Sequence, residues 1–154
     1  MSDAPFDLPR AHRWLAVELN NTAWDLLDKP DRTRDETERM IHAAHASVHH
    51  WLAAGNALNH LRGMVLLANV YAGAKLGEMG VRYAERALQL SEQCGETSTI
   101  FDRATAHACA ARAYHVSGNE EGSLRQVKLA REIAAGLELE EQAVFEQLCP
   151  AERA

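Results

Sequence analysis

Strand signals are missing from this 154-residue chain. Val and Ile are scattered, nothing alternates apolar and polar with a period of two, and Ala and Leu, which favour helix, dominate the apolar positions. That absence excludes a sheet and makes the expected fold all-α. Cysteine is scarce as well: Cys94, Cys109 and Cys149 are an odd number without CxxC spacing, so neither a disulfide framework nor a zinc knuckle follows from them. Cys109, inside ATAHACAARAY, reads as a small buried hydrophobe. The longest uncharged apolar run, GMVLLANVYAGA from Gly63 to Ala74, falls short of the roughly 20 residues a bilayer crossing needs. The amino terminus, with Asp3 and Asp7, holds no apolar core of signal-peptide length, so the expected location is the cytoplasm, with no membrane among the partners. Lys and Arg form no stripe, and 16 basic against 22 acidic residues leave a net charge of -6. Such a chain lacks the phosphate-neutralising charge that drives binding to DNA or RNA, and no nucleic acid is expected. Also missing are a Gly-rich phosphate loop, a nucleophile and base in sequence context, and a complete set of metal ligands. These absences lean against an enzyme and give no catalytic residue, no cofactor and no metal.

What is present is helical punctuation. With 47% apolar and 25% charged residues the chain has the make-up of an ordinary globular protein, long enough to bury a core in one domain, 1–154. Glycines at 55, 77, 95, 118 and 136 each follow an amphipathic run, and each is read as a left-handed helix end. Pro9 suits a first helical turn, and Pro30 stops that run after TAWDLLDK. A second helix starts within DRTRDETER and ends at Gly55; Asn56 caps a third, Glu78 opens a fourth, Thr97 to Asp102 leads into a fifth, Asn119 caps a sixth, and Leu137 to Leu148 forms a seventh.

The chain also repeats itself. A shift of 43 residues lays Ala68 on Ala111, Tyr71 on Tyr114, Ala87 on Ala130, Leu90 on Ile133, Gly80 on Ser123 and Ala84 on Val127. Small residues where two antiparallel helices touch, an aromatic in the next layer and a tight turn are what a stacked helix pair needs. The run AARAYHVSGNEEGSLRQVKLA, with Ala111, Tyr114, Gly118 and Ala130, resembles the tetratricopeptide repeat. Its neighbour LANVYAGAKLGEMGVRYAERAL departs from that pattern, because Lys75 stands where the turn glycine belongs and Gly77 comes two residues late. A longer or differently closed turn is expected there. The interval of 43 exceeds the family's usual repeat of about 34, which implies longer helices or wider linkers. The combination WDLLDKPDRT, MIHAAHAS, Trp51, Asn59, Arg62 and Gly63 is similar to a group of uncharacterised bacterial tetratricopeptide-like proteins, from Trp24 to about Leu148. The resemblance implies a right-handed stack of antiparallel helix pairs, about 9–55, 56–95 and 97–136, with a capping helix about 137–148. It attaches no activity.

MIHAAHASVHHW, from Met40 to Trp51, holds four histidines in nine residues. At about 100° per residue His42, His45 and His49 share a stripe with Glu38, while Met40, Ala44, Val48, Trp51 and Leu52 make the apolar face. His45 and His49, at i and i+4, have the spacing at which two imidazoles grip one ion. That is half a site, and a third ligand would come from His12, Glu18 or His60 on another helix. Against this stands the plainer reading, in which His42 and His45 border the core while His49 and His50 sit in water.

If the tetratricopeptide register carries over, Arg62, Asn69, Arg112 and His115 face a concave groove, where two guanidinium groups and an amide could hold a carboxylate or peptide backbone. Val65 replaces the lysine of the carboxylate-clamp subset, which argues against an acidic chaperone tail. Trp24, with Asp25, Lys29 and Arg32 around Pro30, is read as core, with a pocket mouth as the other reading. Glu138, Glu140, Glu141 and Glu146 form a solvated face on the capping helix, whose Val144, Phe145 and Leu148 cover the last pair; surplus apolar surface there favours a homodimer. The expected function is a non-catalytic module that binds a protein or peptide through the groove. The alternative is a small-ligand or metal-binding protein, an enzyme included, built on the second helix with a pocket of His42, His45, His49, Trp51 and Asn59.

Overall fold

The computed structural model describes residues 6–149; Asp3 and the other terminal residues lie outside that range. Among the described residues there is no strand, and seven α-helices follow one another: α1 Leu8–Asp28, α2 Arg34–Ala54, α3 Ala57–Gly73, α4 Gly77–Cys94, α5 Ile100–Val116, α6 Glu120–Ala134 and α7 Leu139–Leu148. None is long and apolar enough to cross a membrane.

Five of the seven helix starts have a side-chain cap, at Asp7, Thr33, Asn56, Thr99 and Asn119. The Asp7 carboxylate accepts the Arg10 N–H at 3.0 Å, and Pro9 sits in the first turn of α1, where no amide hydrogen is needed. Thr33 and Glu36 form a reciprocal capping box on α2, Asn56 and Asn59 on α3, and Thr99 and Asp102 on α5. The last two boxes lie 43 residues apart.

The turns after α3 and α5 keep the same interval. Leu76 N–H donates to Tyr71 O at 2.9 Å, as Asn119 N–H does to Tyr114 O. Lys75 N–H reaches Ala72 O at 3.0 Å, as Gly118 N–H reaches His115 O. The expected longer turn is therefore absent. Lys75 adopts the left-handed conformation itself, at φ 60°, where Gly118 has φ 83°. A non-glycine residue there costs on the order of 1 kcal/mol. The reading of five glycines as left-handed helix ends is corrected too, since positive φ is confined to Gly95 and Gly118 among the described glycines. Gly55 is extended, with φ -97° and ψ 178°. Gly77 lies inside the first turn of α4, where a Cβ would stand 2.7 Å from the backbone of Ser117. Its role is close approach.

Sequential helices pair as α1 with α2, α3 with α4 and α5 with α6, while α1, α3, α5 and α7 form a second set of neighbours across the pairs. The core divides accordingly. Met40, Ala44, Leu66, Leu67 and Val70 pack beneath the first pair; Leu61, Ala68, Ala84, Ala87 and Ala110 fill the middle; Ala108, Ala130, Ala134 and Phe145 close the last. Ser47 Oγ donates to Ala16 O at 2.7 Å and Ser123 Oγ to Ala111 O at 2.9 Å, so small hydroxyls satisfy themselves where helices cross closely. Arg32 fastens the first junction. Its Nη1 donates to Leu26 O, Leu27 O and Lys29 O at the end of α1, and its Nη2 to Gly73 O at the end of α3, placing a cation on two sets of helix-end carbonyls.

Candidate functional site: a cleft between α1, α3, α5 and α7

Two adjoining cavities of about 270 and about 350 Å³ open along this second set of helices, and Trp24, Phe101 and Leu148 line both. Arg62, Val65, Asp102 and Thr105 help complete the first; Asp28, Arg112 and Val144 help complete the second. Trp24 comes from α1, half-buried, with one side in the core beneath the first pair and the other on the cleft. The core reading holds in part, and the cavities that Trp24 lines do not include the expected Asp25, Lys29 and Arg32, of which Lys29 pairs with Glu36 and Arg32 with main-chain carbonyls.

Arg62 is held from below. Its Nε donates to Asp102 Oδ1 at 2.8 Å and its Nη2 to Oδ2 at 3.1 Å, a bidentate fork, while its side chain stays 56% exposed. Asp102 is 4% exposed and also accepts the Thr99 N–H at 3.1 Å and the Thr99 hydroxyl at 3.0 Å. Burial opposes its ionisation, but the hydrogen bonds from Arg62 and Thr99 outweigh that and hold the carboxyl below its ordinary range. The cap of α5 is thus also the anchor of Arg62. Asn69, 4% exposed, donates to Val65 O at 3.0 Å and accepts from Arg112 Nη1 at 3.2 Å.

Of the four expected groove residues, the structure joins Asn69 to Arg112, sets Arg62 on the first cavity and Arg112 on the second. His115 is exposed, with Nδ1 2.9 Å from Glu120, and meets Arg112 and Leu148 around a separate small cavity of about 40 Å³. Sequence reasoning missed Phe101, Asp102 and Leu148 as lining residues. Thr-x-x-Asp at 99–102 was a readable signal for the capping carboxylate; nothing in the pattern marked Leu148 as facing α1.

The histidines of α2 are dispersed. His45 Nε2 lies 2.8 Å from Tyr71 Oη, and its ring meets Tyr71 and Tyr83 edge-on, both at 5.7 Å. Burial, then the neighbouring His42, push its pKa down and favour the neutral ring. His42 and His49 are exposed. Asn59 is spent on the α3 capping box, and Trp51 supplies the carbonyl that His60 Nε2 meets at 3.1 Å. His42, His45, His49, Trp51 and Asn59 are absent from the linings of the two cleft cavities. His12 meets His50 instead of joining His45 and His49. Leu52, assigned to the apolar face of α2, is 64% exposed; Ala43 and Ser47 are buried in that face. Among the described residues no three His, Cys, Asp or Glu side chains are placed to hold a metal ion. Cys109 is 1% exposed, and burial pushes its thiol up to about 12, which leaves it a packing residue. Comparison of the chain with family models, curated proteins and solved structures gave no significant match.

Proposed function

We propose that this protein is a non-catalytic interaction module, a right-handed tetratricopeptide-like stack that receives a protein or peptide segment in the cleft between α1, α3, α5 and α7. One observation carries the reading. The cleft has apolar walls from Trp24, Phe101, Val144 and Leu148, and two arginines on it are already immobilised, Arg62 by Asp102 and Arg112 by Asn69. Side chains ordered before binding lose less entropy on binding, which is how a small cleft reaches useful affinity. The tetratricopeptide-like stacking itself draws support from capping boxes and turns that recur at 43 residues with the same hydrogen bonds.

Selection of peptides from a displayed random library tests the function. Peptides that bind the wild type are expected to lose about tenfold or more in affinity to Trp24→Ala and to Arg112→Ala, the weight of a truncated anchor residue, with each variant's melting temperature recorded beside it. A library that yields no binder, or binders indifferent to both substitutions in folded protein, overturns the proposal.

A further inference from the structure

The open end of the first helix pair joins two histidines. His12 Nδ1 on α1 lies 2.8 Å from His50 Nδ1 on α2, with ring centroids 4.9 Å apart and planes tilted by 56°. At that distance one imidazole donates and the other accepts, so one Nδ1 must carry no proton. A first added proton can reside on the donor's ring and leave the bond intact. A second must sit on the accepting Nδ1, which removes the acceptor and sets two like charges against each other.

Among the described residues no carboxylate is paired with either ring, and the nearest acids along α1 are Asp7 and Glu18. No Asp or Glu occurs between Leu8 and Val17 on α1, nor between Arg39 and Gly77, a stretch that covers most of α2 and all of α3. The cationic groups nearby in the chain are Arg10, Arg13 and His49, and the ring of His49 stands 5.6 Å from that of His50. Asp7 is turned to cap α1. From α3, which packs on both helices, His60 is directed at Trp51 O. His50 is partly buried, and its pKa is lowered by that burial first, then by His12 and His49.

We propose that His12 and His50 form a pH-sensitive clasp, closed at neutral pH and opened by the second protonation, which releases the N-terminal half of α1 from α2. The same helix carries Trp24 to the cleft wall, so the clasp ties acidity to the order of one side of the cleft. The clasp does not depend on what the cleft binds.

Two measurements on the full chain test it. Imidazole NMR titration of the wild type is expected to show the pair losing its protons in two separated steps, with the lower one below the ordinary histidine value of about 6.5. Amide exchange in residues 10–17, corrected for intrinsic pH dependence, is expected to speed up about tenfold between pH 7.5 and pH 5, the weight of one ordinary hydrogen bond. In His50→Gln, whose amide can donate to His12 without titrating, that acceleration disappears; in His45→Gln it persists, which separates the clasp from the other pH-sensitive histidine. Independent single-step titrations of His12 and His50 near the ordinary value overturn the proposal. So does acceleration in His50→Gln equal to that of the wild type.

Discussion

Helices α3 and α5 occupy equivalent places 43 residues apart, yet they are built from side chains of opposite size. Where α3 buries Leu61, Val65, Leu66, Leu67 and Val70, the same positions of α5 hold Ala104, Ala108, Cys109, Ala110 and Ala113. Both helices are buried around most of their circumference. α3 fills space between the first pair and its own, whereas α5 lies close to α4 and α6 with little room for anything beyond a methyl group. Register is shared and volume is traded, so equal positions respond to substitution in opposite ways.

The largest effect is expected from emptying α3. Leu66→Ala should cost about 2–5 kcal/mol by urea denaturation, because a fully buried leucine leaves a cavity that its helical neighbours cannot close. The counterpart test fills α5: Ala110→Leu should cost about 1–3 kcal/mol by overpacking. If the pair Leu67→Ala with Ala110→Leu recovers wild-type stability, the two helices are interchangeable and the contrast drawn here is wrong.

The capping boxes sharpen the comparison at a smaller scale. Asn59 serves only its cap, whereas Asp102, in the equivalent place, also holds Arg62. Asp102→Ala should cost about 2 kcal/mol and Asn59→Ala about 1 kcal/mol in thermal unfolding. Since the folded Asp102 carboxyl titrates below its unfolded value, its contribution is present above about pH 4 and is lost as pH falls through the folded value. The difference between Asp102→Ala and the wild type should shrink over that acid range.

The turns give the next contrast. Lys75→Gly should stabilise by about 1 kcal/mol, and Gly118→Ala should destabilise by a similar amount, since both act on a left-handed residue. Smallest is the effect of His45. Its lowered pKa leaves stability flat above about 6.5, and below that value the unfolded chain takes up the proton more readily, so stability falls. His45→Gln should flatten part of that slope in a series of denaturation curves.

Most of the helical layout could be read from the residues because its causes are local. Pro9, Thr33, Asn56, Thr99 and Asn119 act within three or four positions of themselves, and the 43-residue interval shows in the spacing of Ala and Tyr. The site was less legible. Arg62 was visible, but its partner lies 40 residues away and the link exists only once α3 and α5 are side by side. The histidine stripe was legible only in part, His45 at the core border and His49 in water as read, but His42 exposed and His50 bound to His12. A helical wheel gives directions around one rod, and it took α1 to claim His50 and Tyr71 to claim His45. Lys75 shows that a glycine pattern can fail while the turn survives, because the bonds that close it belong to the main chain.

The four carbonyls gathered by Arg32 tie the loop after α1 to the tail of α3 through a planar fork of fixed dimensions. A latch of that kind fixes the distance between the end of α1 and the end of α3. At the next seam no such latch is needed, because Gly77 rests directly on the main chain at Ser117 and a side chain of any size there would force the two helices apart.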